Sequence, residues 1–335
     1  MTGLSFGDAA ARMQLQRLGT ALRAEVPRLS QELTTGRSAS PGQALRGDMA
    51  PVAMLNAQIA AADTTRTATS ESALHVGMMQ QAVGEMARSA SDHAVRLLQS
   101  SIHDTDPALT STAATARDGF RDIVALLNTT VAGRSLFAGT RTDSAAVIDA
   151  DAMLQALVDD IVSSGSAEPL AAQVQDWFAQ GGGFDTVGYL GNSQPVIDRR
   201  FDGGERVRVD VSADTDALRA SLAAFAIGAL ATTQELGADP GTRRGLIAAS
   251  GEAMLGAADK VISVAARLGQ AEQLIETART AAAARAHALT LARDSLIEAD
   301  PFAAASRLEQ VLGQLDSIYM VTARAARMSL TDYLR

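Results

Sequence analysis

The chain lacks cysteine altogether and carries one lysine (Lys260), one tryptophan and three tyrosines among its 335 residues. Without cysteine there is no disulfide, no thiolate nucleophile, no iron–sulfur cluster and no cysteine-ligated zinc, and nothing reports on the redox compartment. Aromatic residues amount to 4%, so any core must be built from aliphatic and small side chains. Positive charge is scarce and scattered: Lys and Arg total 29 against 38 Asp and Glu, a net charge of −9. That field repels nucleic acid and anionic lipid, so neither is an expected partner. No apolar run approaches the roughly 20 residues that span a bilayer. The opening stretch has no basic segment followed by an apolar core, and the expectation is a chain that uses no cleaved secretory leader.

What is present is helical periodicity. With 47% hydrophobic and 20% charged residues the chain is an ordinary folded one, long enough for about two domains. Near the C-terminus Ile247, Met254, Val261, Leu268, Ile275, Ala282, Leu289 and Leu296 recur at strict seven-residue spacing. Gly251, Ala258, Ala265, Glu272, Arg279, Ala286 and Arg293 complete a 4-3 alternation. One helix from about 244 to 298 is predicted, stopped at Asp300-Pro301. A second seam, Leu55, Ala62, Thr69, Val76, Val83, Ala90 and Leu97, predicts another long helix. Gly77 and Gly84, one heptad apart inside it, suggest close approach of another backbone. Helical patterning resumes over 109–132 and breaks at Gly133.

Two shorter stripes bracket these: Ala11, Leu15, Leu18, Leu22, Leu29 and Leu33, with Pro27 among them, and Leu308, Leu312, Leu315, Tyr319, Thr322 and Ala326. Residues 141–224 differ in kind. They hold Trp177, the Gly181-Gly182-Gly183 break, and a hairpin pattern from Pro195 to Val211 around Asp202-Gly203-Gly204-Glu205. The reading is a mainly α protein: a long antiparallel helical bundle formed by both halves of the chain, with a small α+β insert. Its domains would be 1–45 with 301–335, a terminal coiled coil; 46–140 with 225–300, a helical bundle in which Val83 and Ile275 face each other; and 141–224, an outer β-containing domain.

Chemistry finds no foothold. There is no Gly-x-Gly-x-x-Gly, phosphate loop, His-Glu-x-x-His or Gly-x-Ser-x-Gly. His75, His93 and His103 share one helix at separations that put them roughly 27 and 15 Å apart, too far for one metal, and His287 is remote. Asp149-x-Asp151 and Asp214-x-Asp216 each precede an apolar run and read as helix N-caps. Asn128-Thr129-Thr130 fits a glycosylation triplet in a helical setting that argues against its use. Met78, Met79 and Met86 read as core fillers. No catalytic residue, cofactor or metal is expected. An enzyme would need a convergent polar site around Asp185, Asp198 and Glu205, where only hairpin and cap roles are read.

Three patches resemble a known family. Leu29-Ser30-Gln31-Glu32-Leu33-Thr34-Thr35-Gly36-Arg37-Ser38, with Pro41, Asp48 and Pro51, is similar to the N-terminal signature shared by flagellins and hook-associated proteins. Leu136-Phe137-Ala138-Gly139 with Arg141-Thr142-Asp143 resembles the close of the N-terminal helical half of the hook-associated protein 3 family. Glu298-Ala299-Asp300-Pro301-Phe302, Ala304, Arg307-Leu308, Gln314-Leu315, Tyr319 and Ser329-Leu330-Thr331-Asp332-Tyr333-Leu334 are similar to that family's C-terminal helix. The likeness covers about 8–143 and 225–335, and touches the insert through Gly188-Tyr189-Leu190-Gly191 and the hairpin.

This resemblance implies a non-enzymatic structural part of the bacterial flagellum at the hook–filament junction, outside the cell. Its implied partners are other copies of itself in a helical ring, hook-associated protein 1 on the hook side, flagellin on the filament side, and a flagellar export chaperone with the type III export apparatus. The assembly interface would then include Leu15, Leu18, Leu22, Leu29, Leu33, Leu308, Leu312, Leu315, Tyr319 and Leu330. A flagellin-like filament subunit and a helical coiled-coil adaptor are the alternatives.

Overall fold

A computed structural model describes residues 6–103, 105–164, 169–201, 206–233, 235–236 and 239–333. The chain separates into two compact units, Met1–Asp63 with Ala283–Arg335, and Thr64–Ala282. This differs from the expected boundaries at 45/46 and 300/301. The expected positions fall in loops, whereas the observed divisions at 63/64 and 282/283 fall inside the long helices Ala50–His103 and Pro240–Leu296.

The first unit contains α1 (Phe6–Thr35), the short α2 (Pro41–Ala44), the start of α3 (Ala50–His103), the end of α8 (Pro240–Leu296) and α9 (Pro301–Tyr333). Helices α1 and α9 pack antiparallel, with Gly19 beside Ile318 and Arg37 bridged to Glu298. Their shared core is Leu22, Leu29, Val311 and Leu315, edged by Val26, Leu308 and Ile318. Pro27 lies inside α1. Asp300 starts α9: its Oδ1 accepts from the Phe302 N–H at 2.9 Å and the Ala303 N–H at 3.3 Å, and Pro301 occupies the first turn, where no N–H is needed. Asp300→Ala should cost this unit about 1 kcal/mol, read as a lower urea midpoint.

The second unit is a bundle of α3, α4 (Asp106–Leu127), α7 (Asp216–Leu230) and α8 around one hydrophobic core, and the few aromatic residues are concentrated in it: Phe120, Phe137, Phe178, Phe184 and Phe225 are fully buried, so the core is not only aliphatic as expected. In this unit, Gly251 of α8 lies against Leu98 and Ala94, Gly269 against Gln80, and Gly77 near Glu272, so α3 and α8 run antiparallel. That register brings Val83 opposite the Leu268 turn and not opposite Ile275. A Cβ built on Gly77 would come no closer than 3.8 Å to Glu272, and one on Gly84 would meet nothing within 4 Å. The close approaches lie elsewhere. A Cβ at Gly119 of α4 would fall 2.6 Å from the Phe225 ring, and one at Gly228 of α7 would fall 2.7 Å from Ser250 Oγ and 2.8 Å from Ala116. His93, Ala116 and Gly119 all meet α7 there, and Phe225 stacks edge-on to His93 at 5.3 Å.

Helix α7 also corrects the insert. It runs through the expected boundary at 224/225, is buried on nearly all sides, and packs along α4. The remainder comprises α5 (Ala150–Ser164), α6 (Leu170–Phe178), a π-helical turn (Phe184–Gly188) and the hairpin β3 (Ile197–Arg200)–β4 (Arg206–Val209), whose pairing sets Ile197 opposite Val209. Asp202-Gly203-Gly204-Glu205, the expected turn, lies outside the described residues. Met153, Leu157, Val174, Phe178, Val207 and Val209 all join the bundle's own hydrophobic cluster. The stretch 141–224 is therefore an elaboration of the bundle and shares its core.

The helix predicted over 109–132 ends at Leu127, and a two-residue hairpin follows, β1 (Thr130–Val131) with β2 (Arg134–Ser135). Ala132 and Gly133 turn it, both at positive φ (50° and 75°), the handedness that matches strand twist in a tight hairpin.

Candidate assembly surface

The α1–α9 pair is stapled at its closed end. Ser38 donates its N–H to Ile297 O at 2.7 Å, Ala299 donates to Gly36 O at 3.0 Å, and the Arg37 guanidinium pairs with Asp294. Burial works against the Asp294 charge, yet hydrogen bonds from Arg293 and Arg37 hold its carboxyl below the ordinary carboxylate range. Gly36 sits at φ +67°, a left-handed position that ends α1. Farther along, Glu25 binds Arg28 at 3.3 Å and Arg307 at 3.1 Å, and Arg23 Nε donates to the Tyr319 hydroxyl at 3.0 Å with its guanidinium over the ring.

The expected interface residues divide on this geometry. Leu22, Leu29 and Leu315 are buried between α1 and α9, and Leu15, Leu33 and Leu308 are half-buried. Their apolar area is spent inside the chain, so Leu22, Leu29 and Leu315 are corrected from surface to core. The row of α9 that faces α1 is Leu308, Val311, Leu315 and Ile318, in place of the expected Leu308, Leu312, Leu315 and Tyr319. Both rows satisfy a 4-3 spacing, and only the partner helix selects between them. Leu18, Leu312 and Tyr319 stay exposed at 50%, 45% and 48%. Leu330 lies outside the residues whose side chains are described. Sequence reasoning missed Met13, Phe302, Met320 and Val321, which are exposed at 57%, 80%, 68% and 52%. Their signal was there as large apolar residues off the seam. Single exposed apolar residues are ordinary on a folded chain, and α1 and α9 carry these seven on the faces they do not turn to each other.

The chemistry-bearing residues of the second unit serve structure. Asp149 Oδ1 accepts from the Asp151 and Ala152 N–H groups, the expected cap of α5, while Asp151 pairs with Arg117 and Arg121. Those two guanidinium groups hold the Asp151 carboxyl below its ordinary value. Asp214 does not cap α7; it accepts from the Ser193 and Ser212 hydroxyls. The Asn128 amide is locked on Val147, donating to its O and accepting from its N at 3.0 Å each. Met79 and Met86 are fully buried.

The buried Arg219 of α7 pairs with Asp185, whose side chain stays about one-third exposed, and its guanidinium lies over the Phe184 ring. Burial opposes the Asp185 charge, but the Gly181 N–H and Arg219 keep its carboxyl below the usual range. Tyr189 is pushed well above the usual phenol value, first by burial and then by Asp214. A cleft of about 480 Å³ nearby is lined by Phe178, Arg219, Lys260 and a floor of alanines. Among the described residues, no group of three or more His, Asp or Glu is placed to hold a metal, and no helix is long and apolar enough to cross a membrane.

The patches singled out in the sequence meet in space within each unit. In the first, the Gly36-Arg37-Ser38 turn pairs with Ile297-Glu298-Ala299. In the second, Ala138 O accepts from Asn192 N at 3.1 Å, Leu190 donates to Ala146 O at 2.9 Å, and Gly139 at φ +65° lies so close to Asn192 O that a Cβ would come within 2.0 Å. No family model matches the chain, and no curated protein matches it. Among solved structures it is similar to a chain from Vibrio parahaemolyticus described as a flagellar hook-associated protein. The two share 16% identity over 76% of this chain and 94% of that one, with a TM-score of 0.37.

Proposed function

We propose that this chain is a structural subunit of the bacterial flagellum that polymerises at the hook–filament junction and adapts the hook side to the flagellin filament. The observation that carries this reading is the joining of the sequence patches that resemble hook-associated proteins. The 29–38 patch and the 298–302 patch, some 260 residues apart, are stitched by the Ser38–Ile297 and Ala299–Gly36 hydrogen bonds into one closed end of a helix pair. The exposed apolar residues Leu18, Phe302, Leu312 and Tyr319 support self-association of that pair. Identical subunits contacting head to tail make an open helical array, as a tube requires. Partners in this reading are further copies of the chain, hook-associated protein 1, flagellin, an export chaperone and the type III export apparatus. Electron microscopy of intact flagella with the protein labelled tests it. A label confined to the hook–filament boundary is expected. A label along the whole filament would favour the flagellin-like alternative, and no label on the flagellum would end the flagellar reading.

A further inference from the structure

Helices α7 and α8 are held together where Ser250 Oγ donates to Ala224 O at 2.7 Å and Gly228 leaves room for the Ser250 side chain. Beyond that contact, toward the first turn of α7, small residues form the floor between them: Ala220 and Ala223 from α7, and Ala253, Gly256 and Ala257 from α8. What they leave open is the cleft of about 480 Å³, walled by Phe178 at the end of α6 and within the roughly 300–1,000 Å³ of small-molecule sites. A Cβ built on Gly256 would meet nothing within 4 Å, so a larger side chain would fit there and the chain forgoes the packing contacts it would make. The rim is polar and exposed: Gln175, Gln180, Asp216 and Lys260. Two of the three charged side chains that line the cleft are already engaged. Arg219 donates to Asp214 O, Phe178 O, Ala179 O and the Asp185 carboxylate, and Asp216 accepts from Gln180 Nε2 at 3.4 Å. Lys260, the only lysine among 29 basic residues, makes no ion pair or hydrogen bond through its ammonium among the described residues. The uncommitted charge of the cleft is thus positive, on a flexible four-carbon stem that follows the position of a ligand's head.

We propose that the cleft is a binding site for a small amphiphilic monocarboxylate. Its apolar body lies on the alanine floor against Phe178, removing both surfaces from water, and its carboxylate accepts hydrogen bonds from the Lys260 ammonium. A neutral head forgoes the charge-assisted part of that contact, and a cationic head meets Lys260 with like charge. A second carboxylate on the ligand would come to the rim that Asp216 shares, where like charges repel. The net charge of −9 opposes any anion at long range, but it is screened beyond about 8 Å at physiological ionic strength, whereas the Lys260 contact is direct. The site goes beyond the flagellar reading and stands or falls independently of it.

Octanoate, its neutral analogue 1-octanol and the dicarboxylate octanedioate, each titrated into the full chain at neutral pH, test this by calorimetry and by the emission of Trp177. That residue is the sole tryptophan, and its ring lies 4.8 Å from the ring of Phe178. Octanoate should bind once per chain in the millimolar range or tighter and change the emission, and octanedioate should bind about tenfold more weakly. Lys260→Met should weaken octanoate about tenfold and leave 1-octanol unchanged. Gly256→Leu sets a side chain into the cleft where a Cβ meets nothing within 4 Å, so it should abolish binding of both octanoate and 1-octanol while raising the urea midpoint through its better helix propensity. No octanoate binding in the millimolar range, equal octanoate affinity in the parent chain and Lys260→Met, octanedioate bound as tightly as octanoate, or undiminished binding in Gly256→Leu would overturn the site.

Discussion

Replacing Leu18 and Leu312 together by aspartate should leave the isolated subunit folded and melting as before, while assembly is lost. Both side chains are about half exposed, and exposed substitutions of this kind usually change stability by less than about 0.5 kcal/mol. In an assembled array the exposed half of each leucine would contribute about 1 kcal/mol, and a carboxylate pressed into the same contact costs several more. A combined penalty of at least about 4 kcal/mol weakens each contact by about a thousandfold. Circular dichroism of the monomer and light scattering under polymerising conditions read the two halves of this expectation. Normal polymerisation by the double variant would remove these helices from the interface. Leu315→Asp is the contrasting case. Leu315 is packed against Leu22, Leu29 and Val311, so a charge there should unpair α1 from α9 and reduce monomer helicity directly.

Arg219→Met should destabilise the second unit by about 3 kcal/mol. The guanidinium donates to Asp214 O at 2.6 Å, to Phe178 O and Ala179 O at 3.2 Å each, and to the Asp185 carboxylate, and lies over the Phe184 ring. Methionine fills the volume but leaves three carbonyls and a carboxylate without their donor. Trp177 stands against Phe178 at 4.8 Å and is the sole tryptophan, so its fluorescence reports this site alone. Its emission should shift to the red at lower urea than in the parent chain. Asp185 also sets an acid limb. Its folded pKa lies below the ordinary 3.8, so its stabilisation is present above that value and drains away as the pH falls further; the limb should be smaller in the variant, where the Gly181 N–H alone still holds the carboxylate. An unchanged urea midpoint would mean that Arg219 is incidental to the insert.

Seven-residue spacing and the stop and start residues were enough to read α3, α8, α9 and the β3–β4 hairpin, because helical and strand periods and Asp-Pro caps are local properties of the chain. The same spacing could not choose between Val311 and Leu312 for the inside of α9. Both rows are apolar, and the decision belongs to α1, which supplies Leu22 and Leu29 on one side only. Helix α7 carried no periodic signal because it is apolar all round, and its place along α4 depends on the gap that Gly119 leaves for Phe225. Gly77 and Gly84 looked like contact points in the sequence, whereas Gly119, Gly228 and Gly251 are where helices close up. A glycine shows its purpose only when the atom that occupies its missing Cβ is known. The terminal patches likewise declared a likeness from their residues alone. That their ends are hydrogen-bonded to each other and that three expected surface leucines are core were decided by tertiary packing, since each requires two segments far apart in sequence to share one volume.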